Sequence, residues 1–156
     1  MRPLPHAIAS LASTGLVYGL TRSLPLSALH FTAGVFIDLD HVPEYLCKVG
    51  RRNRFRDFLA DDLHLKGQRT VFLFHGFDLA LILLLVLIAS GHALAGWAIF
   101  TGAVLHLLMD TLYNPIKSPF AYFFLYRLAN RFQSKRYLYM MTMKEWREFS
   151  HNGRFT

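Results

Sequence analysis

The chain is short of charge and almost without cysteine. Asp, Glu, Lys and Arg make up only 17% of its 156 residues, against about 25% in an ordinary soluble domain. A fully water-exposed surface needs more charge than that, so the composition argues against a freely soluble globular protein. The lone Cys47 excludes an intramolecular disulfide and suits a reducing or membrane compartment. Acids are the scarcer sign, 10 against 17 basic residues, which leaves a net charge of +7. No internal repeat or low-complexity tract is present, and the length suits one domain.

Apolar sequence fills the gap, at 53% hydrophobic residues and a mean hydropathy of +0.28. It is clumped into four spans, roughly 4–20, 24–40, 71–90 and 93–112. The last two approach the roughly 20 residues that cross a bilayer; the first two are shorter and richer in Ala, Ser and Gly. The expected fold is all-α, an integral membrane bundle of about four transmembrane helices in residues 1–115. Residues 116–156 form a basic, aromatic-rich tail that reads as an amphipathic helix lying at the headgroup level. The alternative for that tail is a helix packed on the bundle. Arg2 ahead of an apolar stretch also leaves a cleaved secretory signal as a competing reading of residues 1–20.

Punctuation agrees with the spans. Arg22-Ser23-Leu24-Pro25 is a turn with Pro25 suited to the first turn of the second span. Pro43 follows that span, Ser90-Gly91-His92 is a tight turn, and Asn114-Pro115 stops the fourth. Residues 48–70 read as a charged loop with a helical stretch near 54–64. Gly15 and Gly19 form a GxxxG that permits close helix approach in a membrane.

Sixteen of the seventeen basic residues fall at one end of the spans, and only Arg22 lies at the other. The positive-inside rule then predicts a multi-pass inner-membrane protein with both termini and the 41–70 loop in the cytoplasm. A basic face beside spans this apolar suits anionic lipid headgroups better than nucleic acid.

The same end collects the groups that bind metals. His6 opens the first span, Asp38, Asp40 and His41 close the second, His75 sits early in the third, and His106 and Asp110 close the fourth. Threaded up and down, the chain places these seven in one layer. Ionisable groups in an apolar span mark a functional site by default. His106 and Asp110, at i and i+4, share a helix face, with Gly102 leaving room one turn earlier. The choice there is between a hydrogen-bonded pair and two metal ligands. Asp38 and His41 face one way; crowded carboxylates repel unless a cation lies between them. Asp78, three residues after His75, is a ligand, an orienting partner or a proton-transfer group. His30 reads as an internal packing group, and His64, His92 and His151 as solvated.

Taken in order, the early His6, the D-x-D-H of Asp38, Asp40 and His41 before Pro43, His75, and the H-x-x-x-D of His106 and Asp110 before Pro115 resemble the YdjM-like family. These are bacterial inner-membrane metal-dependent hydrolases, distantly similar to zinc-dependent phospholipase C. The chain departs from that family at Gly67-Gln68-Arg69-Thr70, where the family often carries a further histidine. The resemblance implies hydrolysis of a phosphoester. Together with the bottom-up reading, it predicts one or two zinc ions held by His6, Asp38, His41, His75, His106 and Asp110. Asp40 and Asp78 are then the catalytic candidates, and a membrane lipid or lipid-linked phosphoester is the expected substrate. Two rivals come from other classes. One is a metal-ion or proton transporter with His30 and Asp78 as deeper stations; the other is a non-catalytic membrane scaffold.

The topology has a direct check. A membrane-impermeant thiol reagent should spare Cys47 in intact cells and label it in inverted vesicles. Labelling in intact cells would reverse the orientation.

Overall fold

A computed structural model describes residues 3–40, 71–114 and 116–139. Among them the regular structure is helical, as expected: α1 Pro3–Thr21, α2 Leu24–Phe36, α3 Phe77–Ala89, α4 Ala93–Tyr113 and α5 Phe124–Ala129. A 3₁₀ turn, Ile37–Asp40, extends α2, and another spans Ser134–Arg136. His41, Pro43, Cys47, His64, His151 and the helical stretch expected near 54–64 lie outside the described residues.

The turns follow local chemistry. Ser23 caps α2 by accepting the Leu26 amide, and Pro25 sits in the first turn, where a missing N–H costs nothing. Gly91 takes φ +82, the left-handed geometry that ends a helix with orphan carbonyls satisfied. The His92 amide returns to the Leu87 carbonyl at 2.7 Å. Asn114 is extended (φ −90, ψ 150), as a residue before proline prefers.

Two of the four spans are shorter than the sequence suggests. The α-helical part of the second ends at Phe36, and that of the third begins only at Phe77. At about 1.5 Å per residue, the 13 residues of α2 and of α3 each reach about 20 Å. Among the described residues α4 is the one helix long and apolar enough to cross a membrane. The shortening has a local cause. Residues 37–40 and 71–76 leave the regular helix to carry Asp38, Asp40 and His75 inward, and Gly76 is extended at the N-cap of α3.

α2 packs on both α1 and α4, and α4 on α3. The α2–α4 contact is backbone against backbone. A Cβ added at Gly102 would lie 2.3 Å from the His30 carbonyl oxygen, and one at Gly34 would lie 3.4 Å from the Gly102 carbonyl oxygen and 2.6 Å from Ser10 Oγ on α1. Buried His30 ties three helices together through Ser13 on α1 (2.8 Å) and Thr101 on α4 (3.0 Å). It is a packing group, as the sequence suggests.

Over residues 116–139 the tail folds differently from a single amphipathic helix. Its described part is a cap: α5 has six residues, Ile116 pairs with Leu138, and the Lys117 amide donates to Tyr137. Ala121, Tyr122, Tyr137 and Leu138 are buried in a core shared with Ile37, Ala103 and Leu107. Phe120, Leu125, Leu128 and Tyr139 of the same segment stay exposed.

The glycine contact generates a prediction. Gly102→Ala should force α2 and α4 apart and cost about 1–3 kcal/mol, the range for overpacking. Gly15→Ala meets nothing within 4 Å and should be neutral or mildly stabilising. Thermal unfolding of the purified variants separates the two; equal stability would contradict the close contact.

Candidate metal centre

Three helix ends deliver four ligands to one point. Asp38 comes from the 3₁₀ turn after α2, His75 from the extended segment before α3, and His106 and Asp110 from the last turns of α4. One ligand atom from each of these four lies within 4.8 Å of all the others. Asp38 Oδ1 is 3.2 Å from both His75 Nε2 and His106 Nε2. Asp110 Oδ2 is 3.6 Å from His75 Nε2 and 3.5 Å from His106 Nε2.

These spacings fit a cation site as well as a weakly hydrogen-bonded cluster. A strong His–carboxylate hydrogen bond is about 2.7–2.9 Å, and each Nε2 carries at most one proton yet faces two carboxylate oxygens. Four ligand atoms placed tetrahedrally at about 2.0–2.1 Å from an ion stand about 3.3 Å apart. The observed 3.2, 3.2, 3.5 and 3.6 Å are close to that separation. His106 Nε2, fully buried, makes no hydrogen bond among the described residues.

The outward nitrogens are already committed. His106 Nδ1 donates to the Gly34 carbonyl at 2.8 Å, which the bare α2–α4 contact brings within reach. His75 Nδ1 donates to Asp40 Oδ2 at 3.2 Å. With Nδ1 as the donor on each ring, the Nε2 lone pair is directed at the cluster, the arrangement that supporting groups impose on metal-binding histidines. Asp110 is oriented as well: its Oδ1 accepts from Asn114 Nδ2 at 2.9 Å and faces His6 Nε2 at 3.1 Å. Tyr122 Oη is 2.6 Å from the same amide nitrogen.

Electrostatics points the same way. Asp38 and Asp110 oxygens no more than 4.8 Å apart repel by about 3–4 kcal/mol at an effective dielectric constant near 20. Protons or a cation must offset that. Histidines and carboxylates bind metal in their deprotonated forms, so a metal entering here competes with protons.

The candidates from the sequence therefore separate. His75, His106, Asp38 and Asp110 form the four-atom group. His6 joins them at one remove: it is buried, stacked on His106 with centroids 4.0 Å apart, and paired with the far oxygen of Asp110. Asp40 is drawn in as the partner of His75 and as acceptor of the Phe74 amide at 2.9 Å. Asp78 is directed elsewhere. Its carboxylate accepts the Phe124 and Leu125 amides at 2.8 Å each and the Leu79 amide at 3.0 Å, so it anchors α5. The i, i+3 pairing of His75 with Asp78 fails because His75 precedes the helix that carries Asp78.

Sequence reasoning missed Asn114, Tyr122 and Arg127. Arg127 is buried, and its Nη2 donates to the His75 carbonyl. The available signal was its position as a lone charge in Phe124-Leu-Tyr-Arg-Leu-Ala129, a stretch too apolar for a solvated helix.

Comparison with protein families, with curated proteins and with solved structures returns no match for this chain.

The orienting role of Asp40 can be measured. Asp40→Ala should weaken zinc binding about 10–100-fold, the usual cost of losing a carboxylate that supports a ligating histidine. Zinc uptake should release protons, and affinity should fall as pH is lowered. Calorimetric titration in buffers of different ionisation enthalpy reads both; affinity unchanged by the substitution would remove Asp40 from the site.

Proposed function

We propose that this protein is a membrane-embedded, zinc-dependent hydrolase acting on a phosphoester of a lipid or lipid-linked substrate. The observation that carries the reading is the four-atom His75, His106, Asp38 and Asp110 group with both Nδ1 atoms committed outward. Two imidazoles and two carboxylates are a donor set that zinc accepts readily. When bound, the ion would polarise a phosphoester oxygen and lower the pKa of water.

The chain's own groups fit that chemistry. The side chains of His75, His106 and Asp110 are 1%, 0% and 6% exposed, whereas Asp38 is 31% exposed. Solvent reaches the group on the Asp38 side. With Asp38 released from the ion, His75, His106 and Asp110 would leave the open position that a catalytic zinc needs, and the Asp38 carboxylate would take a proton from water there. Asp40, His6 and Asn114 hold His75 and Asp110 in register and leave the entrance to Asp38. Basic residues cluster at the same end in sequence, and their field favours an anionic phosphoester over a neutral peptide or glycoside.

Membrane residence is supported by the outer surface. Leu16 and Leu20 on α1, Leu24 on α2, Leu85 and Val86 on α3 and Leu94 on α4 are all exposed, far more apolar surface than a soluble monomer displays. A bilayer is the covering that fits four neighbouring helices whose ionisable groups gather at one end. The pattern of His6, D-x-D-H and H-x-x-x-D, which resembles the YdjM-like hydrolases, supports the same reading.

The test is turnover in vesicles reconstituted with the full chain. Zinc-loaded protein should release phosphate or a phosphorylated headgroup from lipid or lipid-linked phosphoesters, and chelation should suppress the reaction. His106→Ala and Asp110→Ala should bring activity to background. Ion flux in the same vesicles, without hydrolysis across a broad phosphoester panel, would contradict the proposal and favour transport.

A further inference from the structure

The segment that presents His75 is gripped from two sides. From the α2 side, Asp40 accepts the Phe74 amide and faces His75 Nδ1. From the cap side, the Tyr122 carbonyl accepts the Phe77 amide at 2.9 Å, and Asp78 accepts the Phe124 and Leu125 amides. The fit is close enough that a Cβ at Gly76 would lie 2.8 Å from Asp78 Oδ1 and 3.2 Å from Phe124 Cβ. Between these contacts lies Arg127, 2% exposed, with Nη2 donating to the His75 carbonyl oxygen.

A buried guanidinium is costly and persists only where it is compensated. The charges of Asp40 and Asp78 favour it, and the His75 carbonyl takes one of its protons. Arg127 sits on α5, which Asp78 anchors by its first two amides. The result is a closed loop of contacts running from His75 to Arg127, along α5 to Asp78, and back through Gly76 to His75.

We propose that Arg127 is a positioning residue for the metal centre: it fixes the main chain of His75 while Asp40 fixes its ring, and together they aim Nε2 at Asp38 and Asp110. This rests on the metal-binding reading above. Arg127 acts through His75, so its effect belongs to the geometry and affinity of the site. A lysine retains a donor to the carbonyl but lacks the planar fork; a methionine fills much of the same volume and donates nothing.

Cobalt(II), whose visible absorption reports coordination geometry, is the probe, titrated into the full chain in detergent micelles. The unsubstituted protein should give a tetrahedral-type spectrum. Arg127→Met should weaken cobalt binding about 10–100-fold and displace the absorption band. Arg127→Lys should lie between, with a smaller loss and a smaller displacement. In a His75→Ala background the carbonyl remains but the ligand is gone, so Arg127→Met should add little. An unchanged affinity and spectrum in Arg127→Met overturns the proposal, as does an equal loss in the His75→Ala background, which would mean a general effect on the fold. Should Arg127→Met fail to fold, Arg127→Lys decides alone: an undisplaced band at unchanged affinity overturns the proposal. Failure of the unsubstituted protein to bind cobalt removes the metal reading itself, and is seen before any substitution is made.

Discussion

Two carboxylates and two imidazoles meeting within 4.8 Å in a largely buried site are the constraint on which the rest of this fold turns. Unneutralised, the carboxylates alone would oppose the convergence of the helix ends by several kcal/mol, a sizeable share of the stability of a small protein. The surroundings are arranged to tolerate them. Gly34 and Gly102 bring two backbones into contact so that a carbonyl reaches His106, Asp40 and Arg127 hold His75 from opposite sides, and Asn114 and His6 hold the outer oxygen of Asp110. Protons or a bound cation would balance the charge. Such an arrangement is costly for a scaffold and supports the proposed metal centre.

The bundle resolves into two zones. At the ligand end, the cap supplies Ala121, Tyr122, Tyr137 and Leu138 to a core with Ile37, Ala103 and Leu107. Away from it the helices touch through small and hydroxyl-bearing residues (Ser10, Ser13, Ser27, Gly34, Thr101 and Gly102) and turn their large side chains outward. That inversion of the soluble pattern, small inside and large apolar outside, is the one expected of helices in lipid and supports the proposed membrane residence.

Much of this was legible in the sequence because its signals were local or periodic. Apolar spans and turn residues located the helices, and the recurrence of His and Asp at one end of each span located the layer in which His6, Asp38, Asp40, His75, His106 and Asp110 now meet. What stayed hidden was decided by tertiary contact. Whether Asp40 or Asp78 serves the site depends on which neighbour reaches each carboxylate, and α5 reaches Asp78 first with two backbone amides. The early end of α2 and the late start of α3 arise because their flanks are pulled into the site, a pull that hydropathy along a single span cannot express. Arg127 looked like one more basic tail residue because its partner is a main-chain carbonyl 52 positions away.

The central claim is that His75, His106, Asp38 and Asp110 together hold a metal ion. X-ray absorption at the zinc edge on purified, zinc-reconstituted full-length protein tests it most directly. The account predicts about one tightly held zinc per chain, with a first shell of oxygen and nitrogen near 2.0–2.1 Å and the multiple-scattering signature of two imidazoles. A protein that retains no zinc, or whose zinc shell lacks imidazole, would contradict it.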